Sequence, residues 1–204
     1  MQQRLFFIDF EFSMPDATVK RKAFYPEIIE AGIVVVEQGK VREKYSSYVR
    51  PTAFPKLTAR CKRFLDISQQ QVEEGIALAE LVNLLAKLNE SEQDKIITWG
   101  NMDMKVLRHN CEQARLRFPL QGTFIDLSME YKQFFGDRNQ TGLWKAVEEY
   151  GKEGTGKHHR ALDDALTTYH IYNLVEKDKK YMKKSEPATI GDLVDFSKLF
   201  DQMA

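Results

Sequence analysis

Two acidic residues sit where no folding requirement places them. The run Leu5-Phe6-Phe7-Ile8-Asp9-Phe10-Glu11-Phe12 is among the most apolar in the chain. In an extended strand alternate residues share a face, so Asp9 and Glu11 stand together with Cα atoms roughly 6.5 Å apart. Carboxylates held side by side on a largely buried strand repel each other and lose hydration, a cost that a cation removes. Hard divalent cations such as Mg²⁺ are the usual compensation. An edge strand whose acids meet water or a lysine accounts for this stretch equally well, so two further stretches must decide.

Asp103 follows Trp99 by four residues, near the start of a helix. Alone it reads as a first-turn acid favoured by the helix dipole. The third stretch, His158-His159-Arg160-Ala161-Leu162-Asp163-Asp164-Ala165, opens a long helix. Taking Ala161, Ala165, Thr168, Tyr172 and Val175 as its buried stripe, a turn of about 100° per residue puts Asp164 roughly 60° from the stripe's centre and Asp163 about 160° away. Asp164 is therefore expected to face the sheet and Asp163 to face solvent. His159 lies in or beside the preceding loop and can swing over a site. Asp9, Glu11, Asp103 and Asp164, with His159, suit hydrolysis of a phosphodiester by two divalent cations about 3.5–4 Å apart, which stabilise the entering and leaving oxygens of an in-line displacement. A neutral imidazole can take the proton of the attacking water near neutral pH. Zinc chemistry through His158 and His159 fits poorly, since adjacent histidines rarely ligate one ion. His158 is expected to contact a substrate phosphate or the loop.

The elements that must position these groups are legible from periodicity. Leu5 to Phe12, Ile28 to Glu37 and Val41 to Val49 read as an antiparallel meander, with Gln38-Gly39-Lys40 as one turn. Glu30, in apolar company, reads as a structural acid hydrogen-bonded within the sheet. Thr58 can cap a short helix through Phe64, and Ser68-Gln69-Gln70-Gln71 has capping-box form. A helix over Ala77 to Leu88, a short strand over Ile96 to Trp99 and a helix with Met104, Leu107, Cys111 and Ala114 inward follow. A strand at Phe124-Ile125-Asp126 precedes helices over Leu127 to Phe135 and Thr141 to Tyr150. Residues 151–157, with three glycines, read as a mobile loop, and a helix from Arg160 to about Tyr181 ends in a lysine-rich turn. A meander followed by helices alternating with short strands makes an α/β fold with a sheet of mixed direction covered by helices, and such sheets place sites at strand ends.

The 204 residues suit one domain, 1–204, with the tail 185–204 packing on it. Thirty Lys+Arg balance thirty Asp+Glu, so nucleic-acid binding must come from a local patch rather than an overall basic field. The basic cluster Lys20-Arg21-Lys22 reads as a solvated turn beside the first strand. Cys61 and Cys111 lack the spacing of a zinc site or a disulfide framework and read as core thiols of a reducing compartment. No stretch fits a signal peptide or a membrane span, so a cytoplasmic protein without a membrane partner is expected.

Asp-Phe-Glu in the first strand, Asp103 after Trp99-Gly100-Asn101-Met102, and His159 five residues before Asp164 together resemble the DEDDh group of 3′-to-5′ exonucleases. The resemblance spans nearly the whole chain. It implies a ribonuclease H-like mixed sheet flanked by helices, two divalent cations, Mg²⁺ or Mn²⁺, and release of nucleoside 5′-monophosphates from single-stranded 3′ ends. By it, Asp9, Glu11 and Asp164 hold the nucleophile-side metal, Asp9 also touches the second, Asp103 acts largely through water, and His159 is the general base. Substrate contacts are implied at Phe10 and Phe12, whose backbone would grip the terminal 3′-OH, at Leu65 or Ile67 as an apolar wedge, at Asn101 and Met102, and at His159. Pro26-Glu27-Ile28-Ile29-Glu30 and the Cys61 segment are similar to the RNA-trimming branch that includes the histone-mRNA 3′ exonuclease, which favours RNA over DNA. Gly136-Asp137-Arg138-Asn139-Gln140-Thr141-Gly142-Leu143-Trp144 resembles a bacterial member that restrains entry into sporulation. That implies a regulatory role and a sporulation-pathway protein as a candidate partner, or, as an alternative, an inhibitory binding module using the nuclease fold as scaffold.

Overall fold

The structure, a computed structural model, describes residues 3–16 and 24–184. The cluster Lys20-Arg21-Lys22 and the tail 185–204 lie outside the described residues. Residues 1–171 form one compact unit, and residues 172–204 a second, of which the described part continues a helix.

Five strands build one sheet: β1 (Leu5–Phe12), β2 (Ile28–Glu37), β3 (Lys40–Tyr48), β4 (Lys95–Thr98) and β5 (Thr123–Asp126). Their order is β3-β2-β1-β4-β5. The meander pairs antiparallel, while β1 with β4 and β4 with β5 run parallel, so the expected α/β fold of mixed direction is the one that forms. The helices are α1 (Ala59–Leu65), α2 (Gln69–Glu73), α3 (Leu78–Leu88), α4 (Met102–Gln113), α5 (Leu127–Phe135), α6 (Leu143–Glu149) and α7 (Ala161–Lys184). Local chemistry explains their starts. Thr58 accepts from the Cys61 amide to cap α1, and Ser68 and Gln71 close a reciprocal capping box on α2.

Alternation along β1 sorts its side chains. Phe6, Ile8 and Phe10 point into a core shared with Leu81 and Leu85 of α3 and with Val106 and Leu107 of α4. Each such burial contributes about 1.5–3 kcal/mol. Phe7 faces the other way and meets the Tyr169 ring of α7 at 5.1 Å, which puts Asp9 and Glu11 on the α7 side. The inward face of α4 differs from the periodicity expectation. Val106, Leu107, Asn110 and Cys111 are buried with Asp103, whereas Met104 is half-buried and Ala114 is exposed. Hydropathy could not find this face, because two of its buried members are polar. Asn110 is there to bridge, accepting from the Ile28 amide and donating to the Pro26 carbonyl, both at 2.9 Å.

Two features bring the future site together. β4 pairs only with Leu5 to Phe7 of β1, so farther along that edge the Phe10 amide donates instead to Asp103 Oδ1 at 2.9 Å. Gly32 of β2 stands opposite Asp9 in the register. A Cβ there would lie 2.1–2.3 Å from backbone atoms of Ala161 and Leu162. The missing side chain thus lets the start of α7 rest directly on the sheet, next to Asp9.

Because the obstructing atoms are backbone and cannot rotate away, Gly32→Ala should lower unfolding stability by about 3 kcal/mol or more. The start of α7 should also be displaced, which denaturant unfolding and amide-exchange protection at residues 161–165 would both register.

Candidate active site

Four acids converge from three elements. Asp9 and Glu11 come from β1, Asp103 from the first turn of α4, and Asp164 from the first turn of α7. Glu11, Asp103 and Asp164 are buried and Asp9 is half-buried. One ligand atom each from Glu11, His159 and Asp164 lies within 4.8 Å of the others. Burial raises the Asp9 carboxyl well above its usual range, and repulsion from Asp103, Asp164, Glu11 and Glu30 raises it further. Burial and then the Asp164 charge push Glu11 up to about 8. Burial pushes Asp103 up to about 7, although its hydrogen bond from the Phe10 amide works the other way. Asp164 is raised by burial against the opposing effect of a Trp144 hydrogen bond.

His159 is held in the left-handed region at φ 61°, uncommon for a residue other than glycine. Its amide donates to Asp164 Oδ2 at 3.2 Å, its carbonyl accepts from Arg160 Nε at 2.6 Å, and its Nδ1 stands 3.8 Å from Glu11 Oε1. Burial first, then His158 and the Arg160 charge, lower its pKa, which favours the neutral ring. His158 stacks on it at 3.8 Å between ring centroids, with 16° between planes. That loop is itself tethered. The Thr155 amide donates to Thr167, the Lys157 amide donates to Asp163, and the Lys157 ammonium pairs with Asp66. Asp163 therefore receives the loop and is half-buried, where helical geometry had turned it to solvent.

Arg160 locks this arrangement from behind. Its guanidinium donates to the Leu65 carbonyl at 2.6 Å and the Tyr48 hydroxyl at 3.3 Å. It also lies 3.2 Å from Glu30 Oε2, an ion pair whose geometry is not that of a hydrogen bond. Glu30, expected to be hydrogen-bonded within the sheet, is instead held by this charge and by the Ala161 backbone. The reason is its register position opposite Glu11, on the face that α7 covers.

The residues expected to touch substrate divide. Asn101 and Met102 are exposed beside buried Asp103, with Met102 52 % exposed. The Phe10 ring is buried on the opposite face of β1 from the acids, and its amide is already given to Asp103. Phe12 packs against the same core. Leu65 and Ile67 are buried in a second core with Cys61 and Val72, so neither presents a wedge. The exposed apolar side chain is Phe64, one residue earlier, 53 % exposed with its ring 4.4 Å from that of His159. Its signal was positional: Cys61 and Leu65 form the buried pair of α1, which leaves Phe64 off that stripe. Trp144, whose indole N–H donates to Asp164 Oδ1 at 2.7 Å, was also missed.

The donor set fits a hard divalent cation: clustered carboxylate oxygens in an apolar surround, with a repulsion that only protons or a cation relieve. This gives a pH signature. The folded chain keeps protons on Glu11 up to about pH 8 and on Asp103 up to about 7, while unfolded values are near 4.5 and 3.8. Between these limits the unfolded state binds fewer protons, so in chelator stability is retained at low pH and falls as pH rises towards 8. Thermal unfolding in chelator should give a lower Tm at pH 8 than at pH 6. Saturating Mg²⁺ should restore it, and Glu11→Gln should flatten the slope.

The chain matches the Exonuclease family over residues 6–172. It is 56 % identical over 195 residues to the probable 3′-5′ exonuclease KapD of Bacillus subtilis (strain 168), covering 96 % of this chain and 95 % of that one. ERI1 exoribonuclease 2 of Xenopus laevis is 29 % identical over 77 % of this chain, which spans only 26 % of that relative's length. Among solved structures, the nuclease domain of 3′hExo, a DEDDh family member, bound to rAMP, superposes with a TM-score of 0.77 at 26 % identity, covering 87 % of this chain and 93 % of that one. A 3′-exonuclease recognising the histone mRNA stem-loop gives 0.75 at 26 % identity, over 87 % and 83 % of the two chains. The ribonuclease H-like form of the sheet follows from these likenesses, and the chain belongs to the exonuclease family as a DEDDh-type 3′-to-5′ exonuclease related to the histone-mRNA branch.

Proposed function

We propose that this exonuclease removes nucleotides one at a time from single-stranded 3′ ends, RNA in preference to DNA, by two-cation hydrolysis centred on Asp9, Glu11, Asp103, Asp164 and His159. The convergence of four mutually repelling carboxylates with one neutral imidazole is the observation that carries this reading. Mg²⁺ or Mn²⁺ held by the four acids would supply the positive charge that neutralises the phosphoryl oxygens and acidifies water. His159 takes the proton of the attacking water. Its Nδ1 lies 3.8 Å from Glu11 Oε1, so that acid would orient the ring. The water oxygen bonds to phosphorus and the P–O3′ bond breaks; a nucleoside 5′-monophosphate is released, and the leaving O3′ takes a proton from solvent, so the shortened strand ends in a new 3′-hydroxyl.

Phe64, beside His159 and exposed, is the ring on which the terminal bases would stack, a contact of about 1–3 kcal/mol per base. Asn101 and Met102, exposed next to Asp103 in the chain, would be further substrate contacts. The RNA preference rests on likeness to proteins named exoribonucleases and to a nuclease domain that binds rAMP. A cytoplasmic setting suits the two buried free cysteines, and among the described residues no helix is long and apolar enough to cross a membrane. The alternative of an inhibitory module for a sporulation-pathway protein leaves the buried acids as a standing cost with nothing to offset it.

With 5′-labelled RNA and DNA of one sequence, Mg²⁺ should give a ladder shortening from the 3′ end, faster on RNA and abolished by chelator. Asp9→Asn should abolish it and His159→Ala should slow it about 10²- to 10⁴-fold, while Phe64→Ala should mainly raise KM. A full-rate ladder from Asp9→Asn would contradict the assignment.

A further inference from the structure

We propose that Trp144 is a positioning residue that sets Asp164 and His159 jointly, and that its indole responds directly when a divalent cation binds. The proposal rests on the reading of Asp164 as a cation ligand.

Three contacts fix the indole. Its N–H donates to Asp164 Oδ1 at 2.7 Å. The ring also lies against Gly154, where a Cβ would come within 2.4–2.8 Å of three of its atoms, so that glycine is required for the loop to pack there. The His158 ring sits 4.8 Å away between centroids. His158 in turn stacks on His159, and His159 meets Phe64. A continuous column of rings thus joins α6, the loop before α7, and α1.

The hydrogen-bond inventory gives the column its purpose. Asp164 Oδ2 accepts from the His159 amide and Oδ1 accepts from Trp144. Each carboxylate oxygen has about two acceptor directions, so one direction on each is taken by the scaffold and the carboxyl plane is fixed, leaving the remaining lone pairs for an ion. A neutral donor does this without adding a positive charge that would compete with the cation. The same indole supports His159 through His158, so a shift of Trp144 moves both groups at once. A carboxylate 2.7 Å from the indole nitrogen also dominates the local field at the ring, and a cation on that carboxylate changes the field.

The protein holds two tryptophans. Trp99 donates to the Thr141 carbonyl, and Trp99→Phe leaves Trp144 as sole emitter. In that protein, Mg²⁺ added without nucleic acid should change indole emission saturably, with the midpoint that calorimetry gives for Mg²⁺ binding; Asp164→Asn should remove the response. Trp144→Phe keeps a ring but loses the donor, and should weaken Mg²⁺ binding about 5- to 10-fold. It should also lower kcat at saturating Mg²⁺ about 10-fold with KM changed less than twofold and the circular dichroism spectrum intact. Calorimetric binding with a silent indole, or Trp144→Phe matching the unchanged protein in Mg²⁺ affinity and kcat, would overturn the role given to Trp144. Absence of any Mg²⁺ binding by the unchanged protein would overturn the cation site itself, and this proposal with it.

Discussion

Everything at the site depends on how closely α7 can approach β2. The approach is a backbone-to-backbone contact over Gly32, opposite Asp9 in the sheet register. It sets Asp164 and His159 against a strand that already carries Asp9 and Glu11. A second contact, from the Phe10 amide to Asp103, fixes the start of α4 where β4 stops pairing with β1. With those two contacts made, four acids from three elements have nowhere else to go.

The resulting cluster opposes folding electrostatically and is supported by everything around it. Burial and like charges raise all four carboxyls, so core packing must offset that repulsion. Among the described residues, Arg160 is the cation paired with Glu30 at the cluster's rear. Its ties to Glu30, Tyr48, Leu65 and the His159 carbonyl hold the left-handed turn that presents the imidazole. Because Arg160 is spent on Glu30 and on backbone oxygens, it relieves Glu11 only in part, and the front of the cluster still calls for a cation.

Much of this was legible in the chain itself, for definite reasons. Charges at Asp9 and Glu11 stand out because an apolar strand has no use for them, and helical geometry alone picked Asp164 over Asp163 for the sheet face. The mixed direction of the sheet followed from a meander preceding alternating helices and short strands. What was hidden depends on contacts between residues distant in sequence. Leu65 and Ile67 were the expected apolar wedge, and their burial depends on the partners of α1, since hydrophobicity does not say which side is covered. Asn110 and Asp103 broke the periodicity of α4 while belonging to its buried face. The roles of Trp144 and Arg160 were not legible, because their partners lie on other elements.

On this reading the buried acids hold divalent cations at the scissile phosphate. A crystal grown with Mn²⁺ and a nucleoside 5′-monophosphate, measured for manganese anomalous scattering, tests it most directly. Anomalous peaks are expected at coordinating distance from Asp9, Glu11 and Asp164, with the phosphate beside them. Manganese bound elsewhere, with these carboxylates contacting only protein and water, would contradict it.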